Sequence, residues 1–172
     1  MVSYSPTGKH IYSASEDKSI KMWDVATGID VNTFNAHEAG VNCIFLSKDG
    51  KILVSGSKDG KIIIWDALTG EVKTTIDGHE GGVHTAKLST DGQMIVSGGE
   101  DELLKLWTIS GDSIKTIRGF SAPIKNLAIS PDGERIVTGG GRNMTPEIKL
   151  VDPNKGVILA DALDSYKGSG AA

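Results

Sequence analysis

Three side chains of this sequence have the residue types of a serine hydrolase: His79, Ser97 and Asp101. In such a site the serine attacks a carbonyl carbon, the histidine takes the proton, and the aspartate holds the imidazole in place. The same residue types stand 42 residues earlier, at His37, Ser55 and Asp59. An active site needs its residues once and places the nucleophile at an exposed, strained turn, whereas both serines lie within strand patterns. We therefore interpret both sets as structural hydrogen-bond networks.

The elements that hold these residues are copies of one unit, which the tryptophans mark. Trp65 follows Trp23 by 42 residues, and Trp107 follows Trp65 by the same interval, while Val151 ends the matching phrase of a fourth copy. A constant period of this length is typical of a supersecondary unit that stacks on its neighbours to bury its apolar face. Four such units of about 43 residues account for the chain of 172 residues.

Each copy has the pattern of four short antiparallel strands. A turn such as Ser89-Thr90-Asp91-Gly92 is followed by a β-branched run, a glycine-rich turn, the tryptophan strand and an alternating strand such as residues 71–76. Alternation with a period of two places one strand face toward solvent, so this strand is the outermost of its set. No segment has a helical period over more than one turn, and the sequence therefore predicts an all-β fold.

Together these landmarks resemble the signature of the WD40-repeat family: Gly78-His79, the turn at residues 89–92, Ser97, Asp101 and Trp107, with Trp-Asp pairs at residues 23–24 and 65–66. The resemblance implies a β-propeller of about four blades, with repeats over residues 1–166, blades at about 1–34, 35–76, 77–118 and 119–161, and a flexible tail at 167–172. It also implies a structural tetrad in each blade. The tetrad residues are His37, Ser55, Asp59 and Trp65, then His79, Ser97, Asp101 and Trp107, with Asp17 and Trp23 in the first blade.

The fourth blade departs from this tetrad at every position. Phe120 replaces the histidine, Thr138 the serine and Val151 the tryptophan, and Arg142 lies near the aspartate position. Because the polar members are replaced together, no buried partner is left alone, and we expect apolar packing alone to hold this blade. Its loop at residues 139–147 is also longer than the corresponding turns, which is often a mark of function.

The composition excludes several classes of function. Eighteen Lys and Arg against 22 Asp and Glu give a net charge of −4, which predicts no nucleic-acid surface. The sequence shows no signal peptide and no membrane span, so we expect no membrane association and a cytoplasmic location, with the nucleus also possible. Cys43 lies in an apolar run and is interpreted as a buried thiol rather than a reactive one. No residue spacing indicates a metal site or a cofactor.

The four predicted blades leave the closure of the ring open. The chain begins on an innermost strand and ends on an outermost one, so it lacks the shared blade that fastens propellers of this family. We expect an incomplete ring or a part of a larger propeller, such as a piece of a longer chain or two copies with eight blades. A free-standing ring of four blades is the alternative.

The loop before each first strand and the loop between the second and third strands share one rim of the predicted propeller. The family resemblance nominates this rim for partner binding, through Glu16, Asn42, Lys58, His84, Glu100, Lys125 and Arg142. Glu38 and Glu80 lie beside them and make the rim slightly acidic, which predicts a protein partner with a basic or mixed-charge segment. A plain solvated rim is the alternative, and His84 fits either a pH-sensitive contact or an ordinary exposed histidine.

These features predict a non-catalytic scaffold that binds proteins within a multiprotein complex. The second hypothesis is a substrate-recruiting or regulatory propeller of an enzyme, such as a ubiquitin-ligase receptor or a kinase-associated domain. A catalytic propeller is disfavoured, because no polar cluster occurs only once.

Overall fold

The computed structural model describes residues 1–142 and 145–161, and the predicted tail at 167–172 lies outside them. The described residues form four antiparallel sheets of four strands each, with each sheet in simple chain order. The first two sheets contain β1 (Val2–Tyr4), β2 (His10–Ala14), β3 (Ile20–Asp24) and β4 (Asp30–Phe34), then β5 (Val41–Leu46), β6 (Ile52–Ser57), β7 (Lys61–Asp66) and β8 (Val72–Asp77). The other two contain β9 (Val83–Leu88), β10 (Met94–Gly99), β11 (Leu104–Thr108) and β12 (Ser113–Ile117), then β13 (Ile124–Ile129), β14 (Ile136–Arg142), β15 (Thr145–Asp152) and β16 (Val157–Asp161).

The sheets are propeller blades, numbered 1 to 4 along the chain, and they stack face to face. First strands of neighbouring blades lie side by side, as β5 and β9 do, so they form the inner wall of the propeller. Within residues 1–142 and 145–161, extensive packing joins blade 1 to 2, 2 to 3 and 3 to 4, and does not join blade 4 back to blade 1. The blades therefore form an open arc, which confirms the predicted all-β propeller with an incomplete ring.

Three apolar clusters form the core, one between each pair of neighbouring blades. In the cluster between blades 1 and 2, Tyr12 and Phe34 of one blade pack edge to face, and Phe34 packs in the same way on Trp65 of the next. The strand register explains the pattern, because alternate residues of a middle strand face opposite neighbouring blades. Leu53 thus faces blade 1, while Val54 faces blade 3.

Glycine gives the blades their close approach. Ile124 of blade 4 packs directly on Gly98 of blade 3, where a Cβ atom would lie 2.5 Å from the isoleucine side chain. The turns use glycine for a different reason, since Gly50 and Gly92 have φ values of 74° in the left-handed region. The described residues include no helix with the length and apolar character needed to cross a bilayer.

Candidate functional site

The tetrad of blade 2 is a continuous chain of buried hydrogen bonds. Strand pairing places Ser55 of β6 two residues from the partner of Trp65 on β7, and the Trp65 indole Nε1–H donates to Ser55 Oγ at 2.8 Å. Ser55 Oγ lies 2.7 Å from His37 Nε2, and His37 Nδ1 lies 2.9 Å from Asp59 Oδ2. Because the carboxylate can only accept, the neutral imidazole donates to it from Nδ1–H, and the Ser55 hydroxyl, which accepts the indole N–H, donates to the unprotonated Nε2. Every polar hydrogen in this chain has an acceptor.

Blade 3 repeats this chain with nearly the same distances. Ser97 Oγ lies 2.8 Å from Trp107 Nε1 and 2.7 Å from His79 Nε2, and His79 Nδ1 lies 2.7 Å from Asp101 Oδ1. The outer carboxylate oxygens differ between the blades. The second oxygen of Asp59, Oδ1, accepts the backbone N–H of Lys61 at 2.8 Å, whereas Asp101 Oδ2 accepts no hydrogen bond from the described residues and has the Lys105 ammonium at 3.3 Å.

Burial sets the charge states of the tetrads. Burial lowers the pKa of His37 and of His79 below the ordinary value of 6.5, although the neighbouring aspartate acts to raise it. Burial acts to raise the pKa of Asp59, but the backbone N–H and histidine hydrogen bonds outweigh it and hold that pKa below its usual value. The pKa of Asp101 is lowered in the same way, chiefly by His79. The network is thus a neutral imidazole beside an ionised carboxylate.

This geometry does not fit nucleophilic catalysis. Ser55 and Ser97 are both 0% exposed, so a substrate carbonyl has no path to either hydroxyl. Each Oγ also lies between the indole N–H and the histidine, so both hydroxyls are held by buried partners. In blades 2 and 3 the arrangement fastens the loop before the first strand to the two middle strands.

Blade 1 keeps only part of the network. Trp23 Nε1–H donates to Ser13 Oγ at 2.8 Å, as its counterparts do in blades 2 and 3. Asp17 instead accepts the backbone N–H and the hydroxyl of Ser19, at 3.0 and 2.6 Å. These hydrogen bonds lower the pKa of Asp17. In this blade the aspartate closes the turn between β2 and β3.

Blade 4 has a polar clamp of its own, so the expectation of apolar packing alone was wrong. The buried Glu147 carboxylate accepts the Ser121 backbone N–H at 3.1 Å and the Ser121 hydroxyl at 2.7 Å. The Lys149 ammonium lies 3.1 Å from the same carboxylate and also donates to the carbonyl of Gly119 at 2.6 Å. Burial acts to raise the pKa of Glu147, but these partners hold it below its usual value. The clamp ties the loop to the third strand, as the tetrad does elsewhere.

The predicted long loop of blade 4 is mostly strand. Arg142 of β14 pairs with Thr145 of β15, and Gly141 pairs with Pro146, so the hairpin extends beyond the equivalent hairpins of blades 2 and 3. Residues 143 and 144, at its tip, lie outside the described residues. Extension of the two strands therefore accounts for most of the extra length.

Five of the predicted rim residues pair through their side chains with one another or with a neighbour. Glu16 of blade 1 pairs with Lys58 of blade 2. In blade 3, His84 Nε2 lies 2.7 Å from Glu100 Oε2. Arg142 of blade 4 lies 2.8 Å from Glu102 of blade 3, a partner that the sequence did not suggest. All three pairs lie on one rim, because the loop before each first strand touches the turn between the second and third strands of the preceding blade.

The remaining rim residues differ in their surroundings. The Asn42 amide donates to the backbone carbonyl of Val83 at 2.9 Å, so it bridges blades 2 and 3 and is half-buried. Lys125 is exposed and, among the described residues, forms no ion pair. Glu38 pairs with Lys61 at 3.1 Å, and Glu80 is exposed without an ion pair in the described part of the chain. Of the four predicted rim glutamates, Glu16 and Glu38 are therefore each paired with a lysine.

Other kinds of site find little support in the described residues. They contain no group of three His, Cys, Asp or Glu side chains placed to hold a metal ion. Burial raises the pKa of the Cys43 thiol to about 12, which leaves it protonated and unreactive. An open cavity of about 780 Å³ lies at the opposite ends of the inner strands, lined in part by Phe45, Lys87 and Ile129, and none of the predicted rim residues lines it.

Comparison with known proteins supports the interpretation of the repeats. A family model described as "WD domain, G-beta repeat" matches residues 2–24, 28–66, 70–108 and 111–145. Nuclear distribution protein PAC1 of Arthroderma otae is 46% identical over 43 residues, which are 25% of this chain and 9% of that protein. A solved structure of U3-55K superimposes with a TM-score of 0.81 and 24% identity, over 92% of this chain and 50% of that one. The chain thus spans half of U3-55K and a small part of PAC1.

Proposed function

The chain belongs to the WD40-repeat family, and from that premise we propose that it is a non-catalytic scaffold which binds protein segments on the rim of its propeller. Propellers of this family generally bind protein partners, and such binding is a matter of surface loops rather than of fold. The proposed binding surface is the charged rim, defined by Glu16, Lys58, His84, Glu100, Glu102 and Arg142. We further propose that the chain acts as part of a multiprotein complex.

The observation that carries this proposal is a difference between repeated and unrepeated polar groups. The serines and histidines that recur in blades 2 and 3 are buried, and they hydrogen-bond to each other in the networks that stabilise the fold. The polar side chains on the rim change from blade to blade, are exposed or half-buried, and pair with one another. Exposed ion pairs contribute little to stability, about 0–1 kcal/mol, so they can be exchanged for pairs with a partner at small cost.

The charge pattern narrows the class of partner. Acidic and basic groups alternate along the charged rim, from Glu16 to Lys58 and from Glu102 to Arg142. A purely basic segment would meet cations as well as carboxylates. A segment of mixed charge can pair with both, which favours the mixed-charge form of the predicted partner.

Selection of displayed 12-residue peptides against the chain, followed by affinity measurement at low salt, tests this proposal. The paired exchange Glu16→Lys with Lys58→Glu keeps the local ion pair and inverts its direction. We expect it to weaken the selected mixed-charge peptides by about tenfold or more, because several charge contacts become repulsive. The matched control is Lys48→Glu with Glu134→Lys, which exchanges two exposed charges that form no ion pair in the described residues.

Two results would overturn the proposal. One is equal affinity of the rim exchange and the unchanged chain. The other is a selected peptide whose binding is lost in the control exchange and kept in the rim exchange. Circular dichroism of both variants verifies that each retains the β-sheet fold.

A further inference from the structure

The open cavity of about 780 Å³ lies at the end of the propeller opposite the charged rim. Its walls are formed by the inner strands β5, β9 and β13 where they end, and by the turns that follow β5 and β9. Blades 2 and 3 supply most of the lining residues, and each of these blades has a neighbour on both sides. Of the two lining residues from blade 4, Ile129 packs toward blade 3 and only Ala128 lies on the outer face. The cavity is therefore a feature of adjoining blades and not of the outer faces of the arc.

The wall of the cavity contains apolar side chains that the fold leaves partly uncovered. Phe45, Ile52 and Ile129 line the cavity and are half-buried, and the buried Leu88 lies among them. A concave apolar surface of this kind is typical of binding sites, because a ligand that covers the surface removes it from water. A large apolar side chain of a partner fits this part of the wall.

One register position of the inner strands gives the wall its character. Phe45, Lys87 and Ala128 occupy this position in blades 2, 3 and 4, since each pairs with a valine of the second strand. The networks that hold the fold repeat the same residue types in blades 2 and 3, whereas this position carries an aromatic, a basic and a small side chain. The fold does not require one residue type here, so the position is free for recognition.

The charges of the wall differ in whether they already have partners. The charged side chains that line the cavity are Lys48, Asp49, Lys87 and Asp91. Each aspartate accepts a serine hydroxyl and a backbone N–H within its own turn. Lys48 is exposed beside Asp49 on the same turn, so these two opposite charges offset each other. The Lys87 side chain is half-buried, and its ammonium forms no hydrogen bond or ion pair within residues 1–142 and 145–161.

The unpaired ammonium and the shape of the cavity together define the occupant. A carboxylate is the complementary partner of Lys87, and the two exposed aspartates would repel a longer acidic run. The cavity is open along exposed turn residues of blades 2 and 3, so a bound residue can continue as a chain on both sides, whereas sites for small molecules bury most of the ligand. We propose that this cavity binds a segment of a partner protein in which a large apolar side chain lies next to a single carboxylate. The proposal does not involve the charged rim and goes beyond the proposed function.

Selection of displayed 12-residue peptides on the chain, with counter-selection on Lys87→Glu, tests the proposal. Peptides that bind the unchanged chain and not the variant should carry Asp or Glu next to Leu, Ile or Phe. Synthesised peptides of this class should bind Lys87→Glu and Phe45→Ala at least about tenfold more weakly, because the first variant repels the carboxylate and the second removes part of the apolar wall. Alanine already occupies the position of Phe45 in blade 4, and circular dichroism verifies the fold of both variants.

A charge exchange separates recognition from a damaged fold. A peptide in which lysine replaces the acidic residue should bind Lys87→Glu more tightly than it binds the unchanged chain. The matched control is Lys9→Glu, because Lys9 is exposed in blade 1, does not line the cavity and forms no ion pair in the described part of the chain. Its affinity for the selected peptides should stay within about twofold of that of the unchanged chain.

The paired exchanges described for the charged rim should preserve most of the affinity for these peptides, since neither exchange alters Lys87 or Phe45. Failure of this proposal and failure of the proposed function are therefore distinguishable. Three results would overturn the proposal. The first is a selection that yields no peptide whose binding depends on Lys87. The second is a set of Lys87-dependent peptides that Phe45→Ala binds as tightly as the unchanged chain does. The third is a lysine-bearing peptide that does not prefer Lys87→Glu.

Discussion

Blade 2 and blade 4 have the same four strands, but they fasten their first loop to the sheet with different chemistry. Blade 2 uses the chain from Trp65 through Ser55 to His37, in which every donor is matched. Blade 4 uses one carboxylate, Glu147, which accepts both donors of Ser121. The difference shows that the fold needs a fastened loop and not a particular set of residues. It also shows that polar partners are exchanged together, because a single exchange would leave a buried group unpaired.

The largest expected effect comes from removing the aromatic member of blade 2. Trp65→Ala deletes a fully buried side chain and the donor of the Ser55 hydrogen bond, and should cost about 3–5 kcal/mol of unfolding free energy. The equivalent change in blade 4, Val151→Ala, removes only two methyl groups and should cost about 2 kcal/mol. Urea unfolding of both variants measures the difference. Equal losses would contradict the unequal roles assigned to the two positions.

Removal of the Glu147 clamp of blade 4 should cost less unfolding free energy than Trp65→Ala. Blade 2 has no equivalent of this clamp. Glu147→Gln removes the charge that accepts the Ser121 hydrogen bonds and faces Lys149, and should cost about 1–2 kcal/mol. Glu134→Gln changes an exposed glutamate of the same blade and should stay within about 0.5 kcal/mol. If both substitutions had the same small effect, the clamp would contribute nothing measurable to the free energy of unfolding.

Acidification from pH 6.5 to pH 5 should weaken blades 2 and 3 more than blade 4. The pKa values of His37 and His79 are lowered in the folded chain, so the unfolded chain binds more protons below the ordinary value of 6.5. Stability contributed by the neutral histidines is therefore complete above about pH 6.5 and declines as the pH falls, by up to about 1.4 kcal/mol per pH unit for each histidine. The lowered pKa values of Asp59 and Asp101 add their own loss only below about pH 3.8. Phe120, the counterpart in blade 4, does not titrate.

Urea unfolding at several pH values, with hydrogen exchange to resolve the blades, measures this dependence. We expect amides of β6 and β10 to lose protection between pH 6.5 and pH 5 before those of β14. Earlier loss of protection in β14 would contradict the assignment.

The repeated parts of the molecule could be predicted from sequence, because a pattern found in one copy could be checked at the same positions of the other copies. The strands and the tetrads of blades 2 and 3 repeat the same residue types at an interval of 42, which marked these residues as structural, and the resemblance to the family implied that His37 meets Ser55. The clamp of blade 4 could not be found in this way. Glu147 and Ser121 occur once, lie 26 residues apart, and meet only when the blade is folded.

The rim pair of blades 1 and 2 carried a sequence signal that the prediction did not use. Glu16 and Lys58 lie 42 residues apart and so occupy the same position in successive blades. Equivalent residues of adjacent blades are neighbours, and opposite charges at such positions predict an ion pair between blades. The pair of Arg142 with Glu102 gives no such signal, because the extended hairpin of blade 4 shifts its position.

Substitutions on the charged rim should change stability least, and this small change distinguishes the rim from the buried networks. Glu16→Lys places two cations side by side, yet both side chains are exposed, so stability should change by about 1 kcal/mol or less. The same substitution should reduce the affinity for a rim-selected peptide. A large loss of stability would mean that this ion pair holds the blades together.

Ser97→Ala beside Thr138→Val tests most directly whether the repeated polar groups hold the fold. Ser97 bonds both His79 and Trp107, whereas the Thr138 hydroxyl, within the described residues, reaches only the Lys149 carbonyl, at 3.5 Å. Loss of the Ser97 hydroxyl leaves two buried groups unpaired and should lower the unfolding free energy by about 2–4 kcal/mol, against about 1 kcal/mol or less for Thr138→Val. If Ser97→Ala cost no more than Thr138→Val, or abolished a measurable turnover with stability unchanged, the structural account of these residues would be contradicted.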